Sequence, residues 1–141
     1  MLQPNKILVI RFSSLGDLIL TSPIFRELRR IFPGANLNLL TSVGFGDVLD
    51  NNPHLDRIIK HPRKENFEQL NQLIDELQAE EFDLIYDAHR SMRSRWIVSR
   101  LTAFGMKRQP AVWKIDKRTL NRKLLTVSYT HLRAHETARH L

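Results

Sequence analysis

The sequence predicts an α/β fold in which one parallel β-sheet is covered by helices on both faces. Short apolar runs rich in branched residues alternate with segments whose apolar residues recur at helical spacing. Five strand-like runs and four helix-like segments follow one another in turn, which is typical of a parallel sheet with crossover helices. We therefore expect right-handed connections, and ligand-binding loops at the carboxyl ends of the strands.

The first strand, loop and helix have the clearest patterns. Residues 6–12 (KILVIRF) form an apolar run beside a turn and predict a buried strand. Residues 13–17 form a tight loop. The apolar positions over residues 18–32 recur at mostly helical spacing, with charged residues between them, and predict a helix. Pro33 and Gly34 end that helix.

The later elements repeat this alternation. Further strands are predicted at residues 36–41, 56–60, 82–86 and, weakly, 109–113. Further helices are predicted over residues 44–51 (short), 67–77 and 92–104, the last closed by Gly105. Residues 1–126 thus predict one Rossmann-like domain, which is long enough to bury a hydrophobic core.

Residues 127–141 do not continue the pattern. Residues 127–137 (VSYTHLRAHET) resemble one translated frame of a common sequencing adaptor over eleven consecutive positions, so we interpret 127–141 as a non-native tail. His131, His135 and Glu136 have the spacing of a helical metal site. The adaptor interpretation accounts for these residues without a metal, and we expect none.

Composition restricts the class of protein. The chain has no cysteine, which excludes disulfides, cysteine-ligated zinc and thiol nucleophiles. No apolar run approaches the roughly 20 residues that cross a bilayer, and the start has no signal-peptide pattern, so we expect a cytoplasmic protein. The formal net charge of +7 predicts an anionic partner: nucleic acid, a phosphorylated sugar or an anionic membrane. The alternative is that the charge serves solubility alone.

The most informative motif, RFSSLGD from Arg11 to Asp17, joins the first strand to the first helix. Gly16 allows a ligand to approach the backbone closely, and the N–H groups that begin the next helix favour an anionic group. Asp17 would place a carboxylate at the open end of the sheet, where it could take a proton from an attacking hydroxyl. The alternative, which physics alone favours, is that Asp17 caps the helix or complements its dipole. The motif is neither a P-loop nor GxGxxG.

Residues 6–23 resemble the opening of glycosyltransferase family 9, the lipopolysaccharide heptosyltransferases, and the resemblance continues through 25–33, 52–59 and 82–89. It covers about residues 6–126. The resemblance implies the N-terminal, acceptor-side half of a GT-B fold of two Rossmann-like domains. It further implies that heptose is transferred from ADP-heptose, with inversion and without a metal or other cofactor, to a phosphorylated lipid A–Kdo core. The donor would be bound mainly by the missing domain, so we expect this fragment to be inactive alone.

The resemblance also implies roles for single residues. Asp17 would be the general base, and the rest of its motif would contact substrate: Arg11, Ser13, Ser14 and Gly16. A second, basic set would hold the acceptor's phosphates and carboxylates, because arginine binds such groups through paired hydrogen bonds. Its members follow predicted strands or lie near the end of the native sequence: Arg63, Lys64, Arg90, Arg93, Lys117 and Arg118. A solvated helix face is the alternative for these residues.

The roles of two further pairs of residues stay open between two interpretations each. Asp87 and His89 follow the fourth strand and could orient an acceptor hydroxyl, although a loop cap and a surface histidine are the favoured interpretation. Trp96 and Trp113 predict core or interdomain aromatics.

The competing function is a non-enzymatic basic module that binds nucleic acid or a membrane surface. The chain has no recognised nucleic-acid motif, and its aromatic residues are not interleaved with basic ones, so we expect no nucleic-acid partner. We expect a monomer that associates peripherally with the anionic face of the inner membrane.

Overall fold

A computed structural model describes residues 2–62, 64–103 and 109–114. The strands are β1 (Lys6–Ile10), β2 (Asn36–Ser42), β3 (Arg57–His61), β4 (Leu84–Asp87) and β5 (Ala111–Lys114). The helices are α1 (Leu15–Ile31), α2 (Phe67–Glu80) and α3 (Met92–Leu101), with a short 3₁₀ helix (Gly46–Leu49) between β2 and β3. Every predicted strand and helix is present in the described part of the chain, and the α/β fold class is confirmed.

The strands form one parallel sheet in the order β3-β2-β1-β4-β5. The chain builds outward from β1 through β2 to β3, then returns to the other side of β1 with β4. Ile10, the last residue of β1, lies opposite Leu40 on one side and Asp87 on the other. The change of direction between β1 and β4 is a topological switch point, and in such sheets ligands bind in the crevice outside the carboxyl ends of the strands there.

The core has two layers, one on each face of the sheet. Alternate residues of β1 point to opposite faces, as the strand period requires. Ile7 and Val9 join the cluster under α1, whereas Leu8 and Ile10 join the cluster under α2 and α3. Because α2 and α3 share one cluster, they lie side by side on the same face, and both begin at the edge where the strands end.

Some boundaries differ from the sequence prediction. Helix α1 begins at Leu15, three residues early, because Ser14 is its N-cap and Asp17 belongs to its first turn. Helix α2 extends to Glu80 and ends on Glu81, which has a left-handed φ of 54°. The predicted end of the last helix, at 104 and Gly105, falls outside the described residues. In the described ranges no helix is long and apolar enough to cross a membrane.

Candidate functional site

The centre of the site is a buried arginine that follows β1. The Arg11 side chain is only 8% exposed. Its Nη1 donates to the carbonyl oxygen of Ala88, just after β4, at 2.8 Å, and its Nη2 lies 2.9 Å from Asp17 Oδ2. Burying a guanidinium is costly unless it is paired, and these contacts provide the pairing. Arg11 therefore ties the first turn of α1 to the loop after β4 across the switch point.

Asp17 combines a structural position with an open face. Its Oδ2 accepts a hydrogen bond from Ser14 Oγ at 3.0 Å, while 44% of its side chain remains exposed. The hydrogen bond from Ser14 and the charge of Arg11 lower the pKa of Asp17 below its ordinary value, and partial burial offsets some of that shift. The carboxylate is thus ionised at neutral pH and can accept a proton. Asp17 also lies in the first turn of α1, where an acidic residue complements the helix dipole. The same position therefore suits both a general base and a helix-stabilising acid.

The loop after β4 is shaped by Asp87. This residue is buried, and its Oδ1 accepts from the backbone N–H of His89 at 3.1 Å and of Arg90 at 2.8 Å. Its Oδ2 accepts from Ser94 Oγ at 3.1 Å. These bonds hold Arg90 at a left-handed φ of 56°, which is uncommon for a residue with a side chain. The loop-cap interpretation of Asp87 agrees with these contacts.

His89 connects the loops on either side of the switch point. Its Nδ1 accepts the backbone N–H of Phe12 at 3.2 Å, and the two rings lie 6.0 Å apart between centroids. A neutral ring that accepts at Nδ1 carries its proton on Nε2. His89 is half-buried. Because it binds the backbone of Phe12, it holds the loop that precedes Asp17 and is more than a surface histidine.

The predicted basic residues have different environments. The Arg93 guanidinium carbon lies 3.8 Å from the centroid of the Phe12 ring, and its Nη2 donates to the Pro62 carbonyl at 3.2 Å. Lys64 is exposed and follows β3 in the sequence, two residues after Pro62. Arg90 is half-buried in the loop after β4. Three others, Arg63, Lys117 and Arg118, lie outside the described residues.

Sequence reasoning missed an acidic residue, Glu65, that pairs with Arg93. Glu65 has a side chain that is 7% exposed, with Oε1 2.6 Å from Arg93 Nε and Oε2 in contact with His61 Nε2. Burial raises the pKa of Glu65, and the charge of Arg93 offsets part of that rise. Burial and the same guanidinium lower the pKa of His61. His61, four residues earlier, is the local partner of Glu65, but a His–Glu pair at that spacing outside a helix is not a distinctive signal. Its other partner, Arg93, is brought to it only by the packing of α3 beside α2.

The Arg11–Asp17 motif and Arg93 thus meet at the edge of the sheet where β1 and β4 end. Arg11, Ser14, Asp17, His89 and Arg93 are joined by direct contacts or through Phe12 at the carboxyl ends of β1 and β4. Ser13 and Gly16 lie in the same turn, and a Cβ on Gly16 would meet no neighbouring atom within 4 Å. Over the described ranges no group of three histidine, aspartate or glutamate side chains could hold a metal. The three tail histidines fall beyond those ranges.

Trp96 and Trp113 are 41% and 36% exposed. The core alternative is therefore wrong for both residues, and the interdomain alternative stays a prediction. Trp113 packs its ring against Phe32 and Tyr86 on the α1 face of the sheet. Trp96 lies on the opposite face, on α3.

These features define a Rossmann-like α/β domain with a polar site at its switch point, and glycosyltransferases are among the solved structures that superpose on it. The structure of a family 9 glycosyl transferase from Veillonella parvula superposes with a TM-score of 0.71 at 22% identity, over 92% of this chain and 44% of that one. The Escherichia coli heptosyltransferase WaaC with ADP gives a TM-score of 0.62 at 22% identity, over 79% of this chain and 36% of that one.

The chain is also similar in sequence to heptosyltransferases. The chain is 26% identical to lipopolysaccharide heptosyltransferase 1 of Pseudomonas aeruginosa, over 75% of this chain and 33% of that protein. It is 27% identical to the protein of the same name from Escherichia coli K12, over 72% of this chain and 34% of that protein. The chain thus spans about a third of the length of these relatives. No protein-family model matches it.

Proposed function

We propose that residues 1–126 are the acceptor-side, N-terminal domain of an inverting family 9 glycosyltransferase with a GT-B fold, and that 127–141 are a non-native tail. One observation carries the proposal: Arg11 holds the half-exposed carboxylate of Asp17 at the switch point, within the motif by which the chain resembles that family. The similarity to heptosyltransferases in sequence and fold supports it.

In the proposed reaction Asp17 takes the proton of an acceptor hydroxyl. The hydroxyl oxygen then forms a bond to the anomeric carbon of the heptose as the bond from that carbon to ADP breaks, with inversion and without a metal or other cofactor. Arg11 and Ser14 orient the carboxylate, because both contact the same oxygen, Oδ2. The exposed part of the carboxylate, 44% of the side chain, is where the acceptor hydroxyl would approach.

The acceptor in this proposal is a phosphorylated lipid A–Kdo core on the cytoplasmic face of the inner membrane. The loops after β3 and β4 meet around Phe12, and cations on them would bind its phosphates and carboxylates. Lys64, Arg90 and Arg93 are the described candidates, and Arg63, Lys117 and Arg118 are proposed with them. The monomeric chain would bind acceptor but would need the rest of a complete enzyme to bind ADP-heptose and turn over.

Calorimetry on the chain itself tests whether this domain binds the acceptor and leaves ADP-heptose binding to the rest of the enzyme. We expect a water-soluble, deacylated, phosphorylated Kdo-core to bind and ADP-heptose not to bind. Arg93→Gln should weaken acceptor binding by about tenfold, the loss of roughly one charge-assisted contact. Arg57→Gln is the matched control, because Arg57 begins β3 at the opposite edge of the sheet and pairs with Glu80. Tight ADP-heptose binding without acceptor binding would contradict the proposal.

The base is tested in a complete enzyme that contains this domain. Asp17→Asn should abolish transfer because an amide cannot take the proton, while its oxygen can still accept from Ser14 and Arg11 and so keep the buried guanidinium partnered and the melting temperature near that of the parent. Near-normal turnover would remove Asp17 from the mechanism, and transfer from ADP-heptose by residues 1–126 alone would show that the second half is dispensable. Filter binding to RNA and DNA tests the alternative, for which tight and strongly salt-dependent binding is expected.

A further inference from the structure

Glu65 and Arg93 stand at the starts of two neighbouring helices whose backbones are fixed. Glu65 directly precedes Asn66, the N-cap of α2, and Arg93 lies in the first turn of α3, which begins after the N-cap Ser91. Both N-caps form reciprocal capping boxes. A capping box satisfies N–H groups that a helix start leaves open, so the chain is held firmly where the two charged side chains leave it.

The Arg93 guanidinium is engaged along one edge and on one face. Its Nε lies 2.6 Å from Glu65 Oε1, its Nη2 donates to the Pro62 carbonyl at 3.2 Å, and its carbon lies 3.8 Å from the centroid of the Phe12 ring. The contacts of the described residues thus use Nε and Nη2 but not Nη1, and 22% of the side chain is exposed. A guanidinium binds a pair of anionic oxygens through two parallel N–H groups, and the Nη1–Nη2 edge is the one that remains for such a ligand.

Glu65 is the contact that fixes the direction of this edge. Stacking on the Phe12 ring leaves a guanidinium free to turn in its own plane, and the bond to the Pro62 carbonyl fixes one point. The contact between Nε and Glu65 supplies the second point, which stops that rotation. We therefore expect the Nη1–Nη2 edge to lose its orientation when the carboxylate is removed.

The carboxylate is itself held from behind. Its Oε2 contacts His61 Nε2, and only 7% of the Glu65 side chain is exposed, so water has little access to replace either partner. Burial and the charge of Arg93 lower the pKa of His61, so the ring is neutral at pH 7 and has one N–H to offer the carboxylate. His61 and Arg93 thus hold Glu65 from two sides.

Charge alone gives Glu65 the opposite effect on an anionic ligand. A carboxylate beside Arg93 cancels the attraction of the guanidinium and repels an anion. Removing a carboxylate that acts only through its charge would therefore tighten the binding of an anionic acceptor. Removing one that orients Arg93 would weaken it, so the sign of the change separates the two roles.

We propose that Glu65 is a positioning residue for the acceptor: it fixes the Arg93 guanidinium so that the Nη1–Nη2 edge binds a pair of anionic oxygens of the acceptor. Glu65 does not touch the acceptor and acts through Arg93. The inference deepens the proposed function, and it rests on that function for the identity of the ligand.

Calorimetry with the water-soluble, deacylated, phosphorylated Kdo-core tests the sign. Glu65→Ala should weaken binding by about tenfold, as the loss of Arg93 itself does. Glu65→Gln keeps an oxygen for Arg93 Nε and should bind within about threefold of the parent. Repeating the Glu65→Ala titration with the dephosphorylated core identifies the bound group, because the tenfold effect persists for a Kdo carboxylate and disappears for a phosphate.

Glu80→Ala is the matched control. Glu80 is also a paired acid, since it contacts Lys6 and Arg57, but it ends α2 at the opposite edge of the sheet. Its loss raises the net charge by one, as the loss of Glu65 does. Glu80→Ala should bind the acceptor as the parent does, and circular dichroism checks that each variant is folded.

A double-mutant cycle shows whether Glu65 acts through Arg93. In an Arg93→Gln chain, the further change Glu65→Ala should alter acceptor affinity by less than about twofold, because nothing remains to be positioned. A residue that only supports the fold would add its full loss there. In a complete enzyme, Glu65→Ala should raise the acceptor KM by about tenfold and leave kcat near that of the parent, in contrast to Asp17→Asn.

Nuclear magnetic resonance tests the contact without any ligand. The Nε–H signal of Arg93, assigned by its loss in Arg93→Gln, should exchange slowly with water in the parent and in Glu65→Gln, and rapidly in Glu65→Ala.

Tighter or unchanged acceptor binding by Glu65→Ala would overturn the inference, as would an equal loss in Glu80→Ala, a full additional loss in the Arg93→Gln chain, or an Nε–H signal that does not respond to Glu65→Ala. A parent chain that binds no acceptor, but whose Nε–H signal depends on Glu65 as expected, would contradict the proposed function and leave the orientation of Arg93 by Glu65 established.

Discussion

Replacing Asp87 tests whether its contacts shape the site, because one buried carboxylate accepts three hydrogen bonds there. Asp87→Ala removes the acceptor for the N–H groups of His89 and Arg90 and for Ser94 Oγ. A hydrogen bond to a charged acceptor is worth about 1.5–3 kcal/mol, but water can reach the two half-buried N–H groups and Ser94 keeps the Ser91 carbonyl as a second acceptor. We therefore expect the free energy of unfolding to fall by about 3 kcal/mol, the equivalent of one to two full bonds.

Asp87→Asn is the matched variant that keeps the shape of the side chain. Its single oxygen can still accept from His89 and Arg90, and its amide can donate to Ser94 Oγ while that hydroxyl donates to the Ser91 carbonyl. The expected loss is about 1 kcal/mol or less.

Urea denaturation followed by circular dichroism measures both values, and an unchanged slope with denaturant concentration shows that compactness is the same. If Asp87→Ala is neutral, or if Asp87→Asn is as costly as Asp87→Ala, the assignment of Asp87 as a hydrogen-bonding loop cap is refuted.

Two further predictions concern conformational strain and pH. Glu81 ends α2 at a left-handed φ of 54°, so Glu81→Gly should stabilise the protein by up to about 1 kcal/mol, whereas Glu81→Ala should give no gain; equal urea midpoints for the two variants would count against backbone strain there. The hydrogen bond from the Leu37 N–H and, to a lesser extent, the contact with Arg29 lower the pKa of Asp56 below its ordinary value. Because the pKa is lower in the folded state, its stabilisation is present above about pH 4 and is lost as the pH falls through the folded value. Asp56→Asn should therefore lose stability at neutral pH and differ less from the parent in acid, and a parallel pair of stability–pH curves would contradict this.

Much of the fold follows from local pattern. Residues 6–12 predict β1 because a strand buried on both faces needs a continuous apolar run, and Ile7 and Leu8 indeed enter different core layers. The sequence predicts a start of α1 that is three residues too late, because Ser14 and Asp17 are typical of loops, although serine and aspartate are also common where a helix begins.

The candidate site was only partly accessible to sequence reasoning. The motif from Arg11 to Asp17 could be found because its residues are adjacent in the chain. Its pairing geometry could be anticipated only in outline, since Arg11 and Ala88 are 77 positions apart. The sequence leaves Trp96 open between a core and an interdomain position, because a large aromatic at helical spacing suits both, and only the structure shows that the residue is exposed.

By itself, the sequence determined the alternation of strands and helices, the parallel sheet and the position of the Arg11–Asp17 motif at a strand end, because periodicity and turn residues act over a few positions. The tertiary structure decided which loops meet. Only the strand order brings β4 beside β1, so that Arg11 reaches Ala88 and His89 reaches Phe12. The packing of α2 beside α3 likewise pairs Glu65 with Arg93. Such contacts depend on the burial of two faces of one sheet at once, which no local segment encodes.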